Sequence, residues 1–268
     1  MIFQWVDHPN LRREDQLLCL LFDLGMATKE QLLKITKWGF RSLDYAFVMV
    51  RKLEKEIGGE TILIRARYLP RLPTKIKTAI YSLTADGIRY VQTIMELQGG
   101  KVKEAPAGQL VHYSGINNIL CRSIEEFGVV SWQSSYEIAD LMIMRWSETI
   151  GEGLDRRNVI RPDGGMRVGT ESNYVDLYVE FDNDTEGPKQ IETKFKRYVD
   201  LYKNLRLTRP IVWVTISDKR KQYLERNWDA LKSVSYKNHV QLPEMVFFVE
   251  GDEIDWIKKK LIKNKPEI

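Results

Sequence analysis

Four carboxylates share one face of a short segment in the middle of the chain. In NYVDLYVEFDND, residues 173–184, apolar and polar residues alternate, as is typical of a β-strand. One face carries Val175, Leu177, Val179 and Phe181; the other carries Asp176, Glu180, Asp182 and Asp184. Like charges on one strand face repel each other unless a cation or basic groups lie opposite. Carboxylate clusters of this kind suit Mg²⁺ or Mn²⁺.

The next segment carries a lysine inside an apolar helical face. Spacings of three and four residues predict a helix over residues 188–205 with an apolar face formed by Ile191, Phe195, Tyr198, Tyr202 and Leu205. Lys194 falls within that face. A lysine there either extends its ammonium group to solvent or meets a carboxylate.

These pieces resemble the replication-relaxation family of Gram-positive plasmids, phages and integrative elements. The matching motifs are LVHYSGINNIL from residue 110, RPD from residue 161, VEFDNDTE from residue 179, and the K-x-x-x-Y spacing of Lys194 and Tyr198. The resemblance implies a DNA-binding winged helix joined to a relative of the PD-(D/E)XK nuclease fold. It would cover most of the chain.

Carried over by position, Asp163 is the first acid of the nuclease motif and Glu180 is the second. In active members both hold Mg²⁺, which polarises the scissile phosphate and supplies a hydroxide nucleophile. The lysine normally found two residues after the second acid is replaced here by Asp182. Lys194 could bring an ammonium group to the same point from the neighbouring helix.

Three interpretations of this region remain open from the sequence. In the first, Asp163, Glu180, Asp182 and Lys194 are catalytic, and the three acids bind Mg²⁺ or Mn²⁺. In the second, the site no longer cuts and the fold serves as a scaffold for binding DNA or partners. In the third, Asp163 belongs to a turn beside an acidic sheet edge. The orientation of Lys194 toward Glu180 decides whether the first interpretation survives.

Positive charge is concentrated in the first part of the chain. Residues 1–105 contain 17 Lys and Arg against 12 Asp and Glu, whereas the remainder contains 24 against 25. The excess predicts that the first part faces a polyanion such as DNA.

The pattern of the first part predicts a winged helix-turn-helix. Leucines at helical spacing end at Gly25, Thr28 and Gln31 have the spacing of a capping box, and a third helix is predicted from about residue 42. Two β-rich runs follow. Their connection, residues 65–77, contains five cations and no acid: Arg65, Arg67, Arg71, Lys75 and Lys77. A basic wing binds DNA phosphates independently of sequence.

The third helix of the chain is the second helix of the predicted helix-turn-helix. In that motif the second helix enters the major groove, so the third helix is the predicted recognition helix. Its candidate contacts on the solvent side, with one lysine just before it, are Lys37, Arg41, Tyr45, Arg51 and Lys52.

The remainder of the chain predicts an α/β domain with a mixed sheet, because apolar strand-like runs alternate with amphipathic helices. The whole chain is therefore expected to be α+β. Glycines, a proline and small or polar residues in positions 98–109 predict a linker, which gives a winged helix over 1–100 and a nuclease-like domain over 108–268.

Composition limits the function classes. The chain of 268 residues is 43% hydrophobic and 29% charged, without an apolar run of membrane length or an export signal, so we expect a cytoplasmic protein. The favoured function is sequence-specific binding of double-stranded DNA in the replication, transfer or control of a mobile element. A metal-dependent nickase and a transcription regulator are the alternatives. A homodimer and contacts with replication or transfer proteins are further expectations.

Overall fold

The computed structural model describes residues 4–69, 78–96, 104–151, 159–236 and 242–264. It confirms a mixed α+β protein, with one antiparallel sheet and one mixed sheet. The chain divides into two compact units, Met1–Glu125 and Glu126–Ile268. No helix in the described ranges combines the length and the apolar character that a membrane crossing requires.

The first unit consists of short helices around a three-stranded antiparallel sheet in the order β1-β3-β2. Its elements are α1 (Arg13–Leu24), β1 (Met26–Thr28), α2 (Lys29–Thr36), α3 (Phe40–Gly58), β2 (Ile64–Tyr68), β3 (Ala79–Leu83), α4 (Ala85–Ile94), a single 3₁₀ turn (Ala107–Gln109) and α5 (Leu110–Phe127). This element order is the one expected of a winged helix-turn-helix. The assignment to that class stays a prediction.

Local signals in the sequence account for the helix boundaries of this unit. The predicted capping box is present: the Thr28 hydroxyl accepts a hydrogen bond from the Gln31 amide at 3.1 Å, and the Gln31 side chain accepts one from the Thr28 amide at 3.0 Å. The third helix begins two residues earlier than predicted, at Phe40, after the extended Gly39.

The predicted wing differs from the structure in one respect. Arg65 and Arg67 lie within strand β2, paired with Ser82 and Ile80 of β3, and not in the connecting loop. The alternation of apolar and polar residues that is typical of a strand continues through Arg65 and Arg67. The strand therefore extends into the segment that the cluster of cations had marked as the loop. The positions of Arg71, Lys75 and Lys77 lie outside the described residues.

Helix α5 lies in the first unit up to Glu125, whereas the sequence placed this helix in the second domain. The Gln31 side-chain amide donates hydrogen bonds to the Ser114 carbonyl at 3.0 Å and to Asn118 Oδ1 at 2.7 Å. Lys34 forms an ion pair with Glu125 at 3.1 Å. The division between the two units therefore falls after Glu125 and not within the predicted linker, residues 98–109. Where the independently folding domains end stays a prediction.

The second unit is a five-stranded mixed sheet in the order β4-β5-β6-β7-β8 with helices packed against it. Its elements are β4 (Val129–Ser134), α6 (Ser135–Ile150), β5 (Gly164–Gly169), β6 (Tyr174–Asp182), α7 (Pro188–Leu205), β7 (Ile211–Thr215), α8 (Asp218–Tyr236), β8 (Met245–Val249) and α9 (Glu253–Lys263). Strands β4, β5 and β6 pair antiparallel, and β6, β7 and β8 pair parallel.

Strand β6 is the central strand of this sheet, so the interpretation as an acidic sheet edge is wrong. Residues 177–182 are buried on both faces. Helices α6, α7 and α8 cover the face that carries Glu180, with a core of large side chains that includes Phe195, Trp213 and Trp228. The carboxylates of β6 therefore lie under helices and must find partners there.

A glycine in α4 marks a close approach within the first unit. The amide of Gly87 donates to the capping hydroxyl of Thr84 at 3.1 Å, and a Cβ at this position would collide with the backbone carbonyl of Leu63. That carbonyl also accepts the Thr84 amide at 3.0 Å, so the start of β2 is held against the start of α4.

We expect Gly87→Ala to lower the free energy of unfolding by about 1–3 kcal/mol, because the backbone must shift to admit the methyl group. Urea unfolding of the full chain measures this change. Gly108→Ala is the matched control, since an added Cβ meets nothing within 4 Å. Equal effects of the two substitutions would contradict the close approach.

Candidate functional site

Glu180 lies two residues before the end of the central strand and is fully buried beneath α7. Lys194 of α7 places its Nζ atom 2.6 Å from Glu180 Oε2. The same ammonium group lies 5.0 Å from the centre of the Trp213 ring, and Trp213 is the register partner of Glu180 on β7. Lys194 therefore faces Glu180 and not solvent, which is the orientation that the catalytic interpretation requires.

The second oxygen of Glu180 is also engaged. Tyr198, one turn after Lys194 on α7, is buried and donates its hydroxyl hydrogen to Glu180 Oε1. The K-x-x-x-Y spacing thus brings an ammonium group and a phenol to the two oxygens of one carboxylate, because residues four apart share a helix face.

Asp163 joins this cluster from the start of β5. Its Oδ2 atom accepts the amide hydrogen of Phe181 at 2.8 Å, and its charge acts on Glu180, Lys194 and Tyr198. Three of the four predicted catalytic residues, Asp163, Glu180 and Lys194, are thus brought together. We call them, with Tyr198, the Glu180 cluster.

Asp182 has a different environment, although it shares a strand face with Glu180. Its Oδ2 atom accepts from Arg220 Nε at 2.9 Å and lies 2.8 Å from Arg220 Nη2; its Oδ1 atom accepts the Asp184 amide at 2.7 Å. Arg220 comes from the first turn of α8 and also contacts Asp184 Oδ1 at 3.1 Å. The structure does not bring Asp182 into the Glu180 cluster.

The predicted repulsion among the acids of β6 is relieved by internal cations. Besides Lys194 and Arg220, Arg167 of β5 forms two hydrogen bonds with Asp176, at 2.8 and 2.9 Å. Sequence reasoning missed both arginines. Arg167 is the cross-strand neighbour of Asp176 and Arg220 is 38 residues from Asp182, so only the strand pairing and the placement of α8 reveal them.

The electrostatics of the Glu180 cluster follow from burial and from its charge count. Burial raises the pKa of Glu180 to about 8; the ammonium group of Lys194 opposes this rise, and the charge of Asp163 adds to it. Burial acts to lower the pKa of Lys194, but the carboxylates of Glu180, Asp163 and Glu186 outweigh it and hold that pKa above its usual value. Burial and the neighbouring Glu180 raise the pKa of Tyr198 well above the usual range.

A divalent cation does not fit these residues as they stand. Within the described residues, no three His, Cys, Asp or Glu side chains lie close enough together to hold a metal ion. Both oxygens of Glu180 contact Lys194 or Tyr198, and both oxygens of Asp182 have donors. Mg²⁺ or Mn²⁺ at Asp163 and Glu180 would first require Lys194 to withdraw, so the cofactor stays a prediction.

An open cavity of about 490 Å³ adjoins the cluster. Four of its lining residues are cations and one is an acid: Arg161, Lys189, Lys194, Arg197 and Glu186. Lys194 reaches from this cavity to Glu180 and also lies 3.6 Å from Glu186. The excess of cations suits an anion such as a phosphate group.

The predicted DNA contacts in the first unit fall into three groups. Lys37, Arg41, Tyr45, Arg51 and Lys52 are exposed on or beside α3. Arg65 and Arg67 are engaged: Arg65 pairs with Glu104 at 3.0 Å, and Arg67 donates to the Ala105 carbonyl at 3.1 Å. The third group is Arg71, Lys75 and Lys77, outside the described ranges. Sequence reasoning missed Phe40, the first residue of α3, which is 72% exposed.

The architecture defines a two-unit α+β protein with a helical first unit and a mixed-sheet second unit containing a buried carboxylate–ammonium cluster. The chain belongs to the replication-relaxation family, whose model matches residues 18–212. Membership suggests a role in the replication or relaxation of mobile DNA elements and implies an interaction with DNA. No curated protein and no solved structure matches the chain.

The raised pKa of Glu180 gives a prediction about pH. A folded-state pKa above the unfolded one favours folding below pH 4.5, and this contribution is lost as the pH rises toward 8. Glutamine imitates the protonated acid at every pH. We therefore expect Glu180→Gln to gain stability relative to the wild-type chain as the pH rises from 5 to 8, measured by urea unfolding at each pH.

The control for this comparison is Glu192→Gln, an exposed acid paired with Lys196 at 2.6 Å. The difference between this variant and the wild-type chain should not rise in the same way, because the neighbouring ammonium group lowers the pKa of Glu192. A wild-type chain that gains stability over Glu180→Gln with rising pH would show that Glu180 is ionised in the folded protein at low pH.

Proposed function

We propose that this chain is a sequence-specific double-stranded DNA-binding protein of a mobile element, acting in DNA replication, transfer or its control. The first unit works as a winged helix that places α3 in the major groove. The observation that carries this proposal is the solvent face of α3, which combines exposed cations with exposed aromatic side chains.

The two faces of α3 are sharply divided. Leu43, Ala46, Val50 and Leu53 are buried in the core of the unit. Arg41, Tyr45, Arg51 and Lys52 point outward on the other side and are exposed. A helix anchored by one apolar face presents the other face as a rigid surface, as a recognition helix requires.

The charge on this surface favours a polyanion. Among the described residues, no ion-pair partner engages Lys37, Arg41, Arg51 or Lys52. The acid on the same face, Asp44, is paired with Lys29 at 2.6 Å. The first turn of α3 contains no acid, so the positive end of the helix dipole adds to the attraction for phosphate.

In this proposal the second unit is a scaffold that binds DNA or partner proteins and does not cut DNA. The carboxylates of Glu180 and Asp182 are paired internally, and the basic cavity of this unit offers a surface for a DNA phosphate or for an acidic segment of a replication or transfer protein. A homodimer, which would place two copies of α3 on paired half-sites, belongs to the same proposal. Transcription control is the form that the function takes if DNA binding alone represses a promoter.

Removal of cations from α3 tests the proposal. We expect Arg51→Ala/Lys52→Ala to weaken binding to all duplex sequences. Each lost phosphate contact should reduce the slope of log affinity against log salt by about 0.9. Fluorescence anisotropy on duplexes from the chain's own genetic neighbourhood, over a range of salt concentrations, measures both quantities.

The matched control is Lys258→Ala/Lys259→Ala, which removes two adjacent exposed cations from α9 of the second unit. This variant changes the net charge by the same amount, so it separates a local contact from a general loss of charge. Identical salt slopes for the two double variants would remove α3 from the DNA contact.

A second candidate function is DNA nicking, favoured by the Lys194 ammonium group 2.6 Å from Glu180 with Asp163 beside them. The DNA-binding proposal predicts instead no conversion of supercoiled plasmid to open circle with Mg²⁺ or with Mn²⁺, because Lys194 and Tyr198 contact both oxygens of Glu180. Glu180→Gln, purified in parallel, controls for contaminating nucleases. Conversion by the wild-type chain alone would make the cluster a working nuclease site, with Lys194→Met as the next variant.

A further inference from the structure

Three large apolar side chains lie exposed on the DNA-facing side of α3. Phe40 is 72% exposed, Tyr45 is 56% exposed and Val48 is 50% exposed. At about 100° of rotation per residue, they fall within roughly 140° of the helix circumference, interleaved with Arg41, Arg51 and Lys52. We call Phe40, Tyr45 and Val48 the apolar triad.

The apolar triad does not serve the core of the unit. The buried positions of α3 lie on the opposite side, and they already provide an apolar face. Each exposed side chain leaves apolar surface in water that would gain about 25 cal/mol per Å² if a ligand covered it. The triad is therefore available for an apolar group on the surface that α3 binds.

We propose that the apolar triad reads the C5-methyl groups of thymines in the major groove. This inference rests on the proposed function, since it names the feature of DNA that α3 recognises. Each base pair presents a distinct pattern in the major groove, and the thymine methyl is its apolar element. Cations on the same face bind phosphates or guanines, but they cannot detect a methyl group.

The length of the triad sets the extent of the contact. From Phe40 to Val48 the helix rises by about 12 Å at 1.5 Å per residue, and neighbouring base pairs are about 3.4 Å apart. A helix along the groove therefore spreads these side chains over about four base pairs. The bound site should contain thymines within such a window, on either strand.

The surroundings of the triad favour DNA over an apolar protein partner. Cations border the triad, and Asp44, an acid on the same face, is paired with Lys29 at 2.6 Å. Desolvating these cations against an apolar protein surface would be costly, whereas the phosphates on both sides of the major groove compensate them.

The experiment begins with selection of duplexes from a randomised library by the full chain. In the enriched sequence, thymines are then replaced one at a time by deoxyuridine, which lacks only the C5-methyl group. We expect thymines to be enriched within a four-base-pair window and each contacted methyl to contribute about a fourfold loss of affinity when removed. Anisotropy titrations at fixed salt provide the affinities.

The variant Phe40→Ala assigns the effect to the triad. We expect this variant to bind the thymine and deoxyuridine forms equally at one position, while circular dichroism shows an unchanged fold. The matched control is Ile62→Ala, which removes a side chain of the same unit that is 57% exposed but lies outside α3. It should keep the wild-type discrimination.

The possible outcomes separate the two proposals. Absence of duplex binding by the full chain overturns the proposed function and this inference together. Specific binding with equal affinity for thymine and deoxyuridine at every position overturns only the inference. If Phe40→Ala, Tyr45→Ala and Val48→Ala all keep the discrimination between thymine and deoxyuridine, the inference is also overturned. If the wild-type chain shows no such discrimination but self-associates, and Phe40→Ala abolishes the self-association, the triad is a protein contact.

Discussion

The second unit depends on how the central strand of its sheet accommodates a fully buried glutamate. An uncompensated carboxylate at the position of Glu180 would cost several kcal/mol of folding free energy. Lys194 and Tyr198 supply one polar contact to each oxygen, and both come from α7. A rotation of α7 by one residue, about 100°, would remove both partners at once. The cluster therefore fixes the rotation of α7 on the sheet, which apolar packing alone would leave less strictly defined.

The neighbouring acid extends the same constraint to the next helix. Asp182 lies two residues beyond Glu180 on the same face, and its partner Arg220 comes from the first turn of α8. Arg220 also donates to the backbone carbonyl of Glu186 at 2.8 Å, in the connection between β6 and α7. Glu180 thus pairs with a side chain of α7, and Asp182 pairs with a side chain of the next helix, α8. Because each charge meets a specific partner, this pattern selects one arrangement of the helices among those that bury similar apolar area.

The strands and helices that carry these charges follow from short-range patterns in the sequence, whereas the ion pairs between distant residues do not. The alternation around Glu180 and the helical spacing around Lys194 depend on neighbours along the chain, so the sequence predicts the strand, the helix and the residues that share each face. It left open whether Lys194 turns toward Glu180 or toward solvent. The pairing of Asp182 with Arg220 depends on where α8 is placed, 38 residues away. Likewise, the engagement of Arg65 by Glu104, 39 residues later, depends on tertiary packing that charge counts do not reveal. Periodicity therefore predicts which side chains face inward, but not which charges remain available.

In the proposed function, the two units contribute differently to binding an anion, because they differ in which charges are paired internally. In the second unit, Glu180 and Asp182 are engaged internally by Lys194 and Arg220, and the charged residues that line the adjoining cavity are four cations and one acid. An acidic strand, which in isolation would repel phosphate, thus lies beside a cavity whose charged lining is mostly basic. In the part of the chain that the structure describes, no ion-pair partner engages Arg41, Arg51 or Lys52 of α3, and these cations lie beside exposed aromatic side chains. Cations in a cavity attract any phosphate, whereas a rigid helix with mixed apolar and charged contacts can distinguish base pairs. In the proposed function, selectivity for sequence is therefore assigned to α3, and the cavity of the second unit adds affinity for phosphate without adding specificity.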